Sequence, residues 1–219
     1  ANSDEDGDGY DANRDDEISP EERHTNLEEY LAGTSPWQLD SDGDKMPDGW
    51  ELFYGLNPTL SSDAWFDSDS DGWDSNYDGE LVYEERYFNY MEYFNDTNPL
   101  VSDTDSDTMP DGWEVIFDLN PLFSSDNFED KDGDGLVNVY EYNNSLVNTG
   151  WKDRDGIFTS RPDLNDTDND GISDIDELFI HLTDPTHNDT DGDGMPDGWE
   201  VNYDLNPISD LDANEDADN

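Results

Sequence analysis

Residues 40–58 read DSDGDKMPDGWELFYGLNP, and residues 103–121 read DTDSDTMPDGWEVIFDLNP. In both, Asp falls on every second position, then a Met-Pro-Asp-Gly-Trp-Glu run follows, and Asn-Pro closes the block. The offset is 63 residues, and it carries Asp4, Asp11, Glu22 and Pro36 onto Asp67, Asp74, Glu85 and Pro99 as well. A short backbone that curls around one hard cation needs side-chain oxygens at loop positions 1, 3 and 5 and a turn residue at 6. It then needs a carbonyl at 7, an oxygen at 9 and a bidentate acid at 12. The quoted stretches have that pattern.

Five stretches fill all of these ligand positions. They are Asp40, Asp42, Asp44, Met46, Asp48 and Glu51; Asp103, Asp105, Asp107, Met109, Asp111 and Glu114; Asp130, Asp132, Asp134, Leu136, Asn138 and Glu141; Asp166, Asp168, Asp170, Ile172, Asp174 and Glu177; and Asp189, Asp191, Asp193, Met195, Asp197 and Glu200. The position-7 residue contributes its carbonyl. One such match is suggestive, but five in register predict calcium loops. Lys45, Thr108 and Asp16 stand at position 6, where Gly gives the sharp turn, so those sites are expected to be weaker or differently shaped. Pro47, Pro110 and Pro196 at position 8 have no N–H for a β-bridge between paired loops.

Two further stretches are double. A loop with Asp4, Asp6, Asp8 and Asp11 overlaps one with Asp11, Asn13, Asp15, Glu17, Ser19 and Glu22. A loop with Asp67, Asp69, Asp71 and Asp74 overlaps one with Asp74, Asn76, Asp78, Glu80 and Glu85. Asp15 or Asp78 is position 12 of the first loop and position 5 of the second, placed to bridge two ions.

The chain has 219 residues with 61 Asp plus Glu against 8 Lys plus Arg, a formal charge of −53. Repulsion on that scale opposes a compact state without cations. Yet 7 Trp, 11 Tyr and 9 Phe are more rings than a disordered acidic tail carries, so small cores between ion loops are expected. The absence of cysteine excludes disulfides and thiolate metal sites and leaves an ion that takes oxygen ligands. Nucleic acid and anionic membrane need clustered Lys and Arg, which this chain lacks. No apolar run is long enough for membrane insertion.

Repeat units span 1–62, 63–125 and 126–207, the third with an insertion around 142–165, and 208–219 begins a further unit. Each has a long half ending in a short helix and a Thr-x-Pro turn, and a compact half ending in Leu-Asn-Pro. Helices of two or three turns should be stopped by Gly, Asn or Pro. Pro207 places Asp216 and Asp218 at positions 1 and 3 of another loop, whose position 5 falls beyond Asn219. The sequence is therefore expected to continue, or a second copy to complete the loop.

Blocks such as TDGDGMPDGWE in series resemble the cysteine-free thrombospondin type 3 repeats of bacterial and archaeal surface proteins, and single loops resemble EF-hand and dockerin loops. The resemblance implies many structural Ca²⁺ ions, an elongated array of loops with short α-helices and little β, and an extracellular or cell-surface place.

Acid pairs are too numerous to single out a catalytic one, and His24, His181 and His187 have no Ser or Cys partner at a recognisable spacing, so they read as surface residues and no enzyme is expected. The expected role is a calcium-rigidified spacer, stalk or fibre. Alternatives are a calcium-dependent adhesion module for cell-surface glycans or a partner, and a subunit of a head-to-tail filament of its own copies. Asn95, Asn143, Asn165 and Asn188 begin Asn-x-Ser/Thr sequons that an extracellular chain could glycosylate.

Overall fold

The computed structural model describes residues 6–12, 14, 17–19, 22–73, 82–142 and 160–214. Among these, 32% are helical and none lies in a strand, so the chain is the expected irregular array of loops and short helices. The helices are α1 (Asn26–Ala32), α2 (Asp48–Tyr54), α3 (Asn89–Asn95), α4 (Asp111–Ile116), α5 (Asn138–Tyr142), α6 (Asp174–Asp176, running on as a π-helical turn, Glu177–His181) and α7 (Asp197–Asn202). Single 3₁₀ turns occupy Asp63–Trp65, Tyr83–Glu85, Asp126–Phe128 and Asp212–Asn214. None of these helices is long enough to cross a membrane.

Helices this short are marginal by themselves and depend on their ends and on packing. At the start of α1, the Thr25 N–H donates to Glu28 Oε2 at 2.8 Å. At α2 and α7, Pro47 and Pro196 precede the first turn with φ near −69°, already fixed for it. Gly33 and Gly55 end α1 and α2 in the left-handed conformation, as expected. Asp96 ends α3 and Leu182 ends the π-helical turn in the same conformation without being Gly.

The chain divides into two compact units, Ala1–Asp105 with Pro110–Trp113, and Ser106–Met109 with Glu114–Asn219. In the first, Met46, Trp50 and Ala64 form a buried cluster against Tyr10, Tyr54, Leu56, Tyr90 and Tyr93. Trp50 lies 4.9 Å from Tyr54 and 5.4 Å from Tyr93, centroid to centroid. In the second, Phe117, Leu136, Val139, Ile172 and Leu178 are buried. These are the small cores the aromatic content called for, seeded by the position-7 residue of four loops, Met46, Met109, Leu136 and Ile172, which are buried.

Candidate metal centres

The loop from Asp40 shows how one site is built. Asp40 holds the turn, with Oδ1 accepting the Gly43 N–H and Oδ2 the Lys45 N–H at 2.7 and 2.9 Å. Asp42 Oδ1 accepts the Asp44 N–H, and Asp44 Oδ1 accepts the Met46 N–H. Each of these carboxylates is thereby pinned through one oxygen. Oδ2 of Asp42, Oδ2 of Asp44 and both oxygens of Glu51 are buried without a hydrogen-bond partner. A carboxylate from outside the twelve residues joins them: Asp63, in the 3₁₀ turn, accepts the Asn57 N–H on Oδ2 and leaves Oδ1 orphaned. Asp44, Glu51 and Asp63 each bring an oxygen within 4.8 Å of the others.

The loop from Asp189 repeats the arrangement. The N–H groups of Asp193 and Met195 pin Asp191 and Asp193, and the Asn206 N–H pins Asp212. Asp191 Oδ2, Asp193 Oδ2, both oxygens of Glu200 and Asp212 Oδ1 are left without partners. Five such orphaned anionic oxygens fit Ca²⁺, which takes six to eight oxygen ligands. They fit Mg²⁺ less well, because it keeps much of its water.

Asp63, Asp126 and Asp212 were not among the residues read from the sequence as ligands. Their signal is the recurrence of Asp six residues after the Asn of Leu-Asn-Pro, in NPTLSSD, NPLFSSD and NPISDLD. A twelve-residue template has no place for it.

In the Asp67 loop, the acid gathered to Asp71 is Glu92, with Asp111 completing the group, all three within 4.8 Å and fully or almost fully buried. Glu29 stands with Asp8 in the same way in the loop that begins at Asp4. Glu29 and Glu92 were also missed, because they lie twenty-five residues after the loop's first Asp, whereas Glu141 lies eleven after Asp130. The extra fourteen residues carry the second of the two overlapping loops. Of that segment, Glu22 and Glu85 accept the N–H of Ser19 and Val82, and Glu85 is buried while Glu17 is exposed. Asp4, Asn13, Asp15, Asp74, Asn76, Asp78, Glu80, Asp216 and Asp218, read as ligands, lie outside the described residues, as do Asp16 and Asn143.

Position 9 has a role the template does not convey. Asp48, Asp111, Asp174 and Asp197 each take the backbone N–H and the hydroxyl of their own loop's position 2, namely Ser41, Thr104, Thr167 and Thr190, at 2.6–2.9 Å. The same hydroxyls accept the N–H of Ser35, Asn98, Arg161 and Asp184 from the preceding turn. Ser160-Arg161-Pro162 is thus a fourth Thr-x-Pro-type turn, inside the stretch read as an insertion. These aspartates also face the previous loop. Asp111 groups with Asp71 and Glu92, Asp174 adds its charge to Glu141, and Asp170 adds its charge to Asp197.

Backbone contacts follow the same direction. The outer oxygen of Asp71 accepts the Gly112 N–H at 3.0 Å, that of Asp134 the Ile175 N–H at 3.2 Å, and that of Asp170 the Gly198 N–H at 2.7 Å. A Cβ on Gly112 would lie 2.5 Å from the Asp71 carbonyl oxygen, and one on Gly198 2.3 Å from that of Asp170. The Gly of Asp-Gly-Trp-Glu is therefore required by the approach of the preceding loop. Asn89 and Asn138, at position 9 of their loops, instead donate to the carbonyls of Asp63 and Asp126.

The Asp103 loop lies where the chain passes between compact units. Asp103 and Asp105 belong to the first, while Asp107, Met109 and Glu114 belong to the second. The Met109 N–H donates to Asp107 Oδ1, and Glu114 is buried. In the five uninterrupted loops position 6 is left-handed, Lys45 and Thr108 at φ of 85° and 84° beside 105°, 104° and 102° at Gly135, Gly171 and Gly194, whereas Gly9 and Gly72, at position 6 of the loops from Asp4 and Asp67, are not.

Burial, reinforced by neighbouring carboxylates, raises the position-12 acids far above the usual range, Glu51 and Glu141 to about 9 and Glu92 and Glu177 to about 10. Asp71 and Asp168 rise to about 8 for the same reasons. Without a cation such groups fold only as neutral acids, and a divalent ion reverses that preference.

His24, read as a surface residue, is buried, with Nδ1 2.7 Å from Asp8 Oδ2. Burial lowers its pKa, but the hydrogen bond and charge of Asp8, with the charges of Glu29 and Glu28, outweigh burial and raise it.

Residues 166–187 and 189–204 match the family described as the bacterial TSP3 repeat. No curated protein and no solved structure matches the chain. The two matched segments hold the loops from Asp166 and Asp189, so the orphaned oxygens at Glu177, Asp191, Asp193 and Glu200 belong to a calcium-binding repeat module.

Proposed function

We propose that the chain is a structural, non-enzymatic segment of a secreted or cell-surface protein, in which several Ca²⁺ ions weld successive loops into a stiff spacer. One observation carries this reading: within each compact unit, a loop's carboxylate set is completed from the next block along the chain. Asp63 completes Asp44 and Glu51, and Asp111 completes Asp71 and Glu92. Asp174 stands by Glu141, and Asp212 by Glu200. An ion held this way is a cross-link between neighbours, and fixing neighbours is what a spacer requires. The likeness of residues 166–187 and 189–204 to the bacterial TSP3 repeat, a type of repeat that is typically extracellular, favours an extracellular setting.

Calorimetric calcium titration, with small-angle scattering in calcium and in chelator, tests the proposal. The expected result is several bound ions per chain and a rigid particle that loses its defined dimensions on chelation. Scattering that does not change on chelation rejects the spacer reading. A concentration-dependent increase in length in calcium points to the filament, and calcium-dependent retention on immobilised glycans points to the adhesion module.

A further inference from the structure

We propose that Asp8, His24 and Glu29 form a mixed nitrogen–oxygen site that takes a borderline divalent ion, with Zn²⁺ as the reference case, in preference to Ca²⁺. The inference departs from the calcium reading at this one loop and stands on its own observations.

His24 occupies the place that apolar side chains hold in sibling loops, the position preceding the helix cap, filled by Met46, Met109, Leu136 and Ile172. At the 63-residue offset its counterpart is Tyr87. A hydrophobic residue would serve the packing there, but His24 brings a ring nitrogen to the carboxylates. It is 7% exposed, Asp8 1% and Glu29 0%. One ligand atom from each of the three lies within 4.8 Å of the others. Asp8 Oδ1 and His24 Nε2 are each buried without a hydrogen-bond partner.

Donor chemistry then decides between cations. Ca²⁺ takes oxygen ligands, whereas imidazole suits Zn²⁺, Cu²⁺ and Ni²⁺. Tetrahedral Zn²⁺ with bonds near 2 Å holds its ligand atoms roughly 3.3 Å apart. The 2.7 Å between His24 and Asp8 would open slightly as an ion replaced the proton between them. Glu29, on helix α1, would close by a side-chain adjustment. Nδ1 must be free of a proton to ligate, so the neutral imidazole would carry its proton on Nε2.

The test uses the full chain carrying His181→Asn and His187→Asn, which leaves His24 as the only imidazole among the 3 histidines. The protein is saturated with Ca²⁺ and titrated with Zn²⁺, followed by calorimetry and by the ¹⁵N shifts of the His24 ring. One Zn²⁺ equivalent should bind in the presence of excess Ca²⁺ and move the Nδ1 resonance. His24→Tyr, which installs the residue of the sibling loop, should weaken that equivalent by about a hundredfold, at least the cost of losing an outer-shell partner. Its circular dichroism in calcium should not change. Tyr87→His, beside Asp71 and Glu92, should add a second tight equivalent, a gain that no loss of folding can mimic. A stationary His24 ring under Zn²⁺, or equal Zn²⁺ affinity with His24→Tyr, overturns the proposal and leaves His24 as a hydrogen-bond donor to Asp8 only.

Discussion

The loops from Asp67 and Asp130 reach corresponding arrangements by chain paths of different length. In one, fourteen additional residues separate the position-5 Asp from the helix that brings Glu92; in the other, Glu141 follows at the spacing of a simple twelve-residue loop. Yet Asn89 and Asn138 make the corresponding hydrogen bond, to the carbonyls of Asp63 and Asp126 at 2.9 and 2.8 Å. Tyr87 and Leu136 are both buried before the helix, and both acids are fully buried. The site is therefore specified by where a short helix docks and by which acid sits in its first turn. Contiguity of the loop is not required, since lengthening a connecting segment costs little closure entropy.

The comparison is broken most directly by removing calcium. If the same cation organises both loops, chelation at neutral pH should abolish most of the helical circular dichroism of both compact units together and the burial of Trp50 and Trp113 in the first, because metal binding here is folding free energy. An unchanged spectrum in chelator at low salt would defeat the idea. Acid provides the matching control. In chelator, Glu92 and Glu141 have folded-state pKa values raised to about 10 and about 9 by burial and neighbouring acids. Their contribution to apo stability is thus fully present below the unfolded Glu value near 4.3 and is lost as pH rises toward 9–10. Helicity in chelator should increase on acidification from pH 8, whereas in calcium, which holds the ionised form, acid should unfold the protein.

Substituting the two acids sharpens the equivalence. Glu92→Ala and Glu141→Ala should each remove one calcium from the stoichiometry and destabilise the loaded protein by about 3 kcal/mol or more, the scale of breaking a buried charged pair. Glu84→Ala, at an exposed acid in the excursion of the longer loop, should change stability by no more than about 0.5 kcal/mol. If Glu92→Ala behaves like Glu84→Ala in a calcium titration, the longer loop closes on a different acid and the equivalence fails.

How far the sequence shows this arrangement depends on whether a ligand lies inside a fixed window. Asp42, Asp44 and Glu51 can be read at once, because one curl of backbone carries all three. Asp63 cannot, because it reaches the group only after α2 reverses the chain and the 3₁₀ turn brings it back. Glu29 and Glu92 are hidden by the same excursions that made double loops easy to read. Position 9 was assigned to its own loop because local templates stop at one ion. The hydroxyls of Ser41, Thr104, Thr167 and Thr190 hold that carboxylate while it faces the loop before. Loop–helix alternation with little β was legible, since alternating Asp and early Pro leave little room for a ladder.

The inter-loop contact yields a smaller expected effect. Gly112→Ala and Gly198→Ala place a methyl group 2.5 and 2.3 Å from a carbonyl oxygen of the preceding loop, closer than Cβ atoms come, and should cost about 1–3 kcal/mol by overpacking. Ile175 occupies the corresponding position after the Asp130 loop and donates its N–H to Asp134 at 3.2 Å with its side chain accommodated. Ile175→Gly should therefore bring no relief and should lose burial and helix propensity. Thermal denaturation of the three variants in calcium checks this, and a stabilised Ile175→Gly would show that close approach is not what selects glycine.

The smallest effect concerns position 6. Thr108 is β-branched and sits at φ 84°, whereas Gly135 in the Asp130 loop sits at 105°. A left-handed conformation costs a non-glycine residue about 1–2 kcal/mol, and glycine gives back about 0.5–1 kcal/mol through the greater freedom of its unfolded chain. Thr108→Gly should therefore stabilise the calcium-loaded protein by about 0.5–1 kcal/mol and leave stoichiometry unchanged. Lys45→Gly relieves the same strain at φ 85° but removes one of the 8 basic residues from a chain of charge −53. Because the lost cation stood beside the loop's own aspartates, its gain should be smaller than that of Thr108→Gly at low ionic strength and should approach it as salt screens the difference. Denaturant midpoints of both variants at two salt concentrations decide it: two equal gains at low salt would remove the electrostatic part, and no gain at either site would mean that the left-handed turn is not strained.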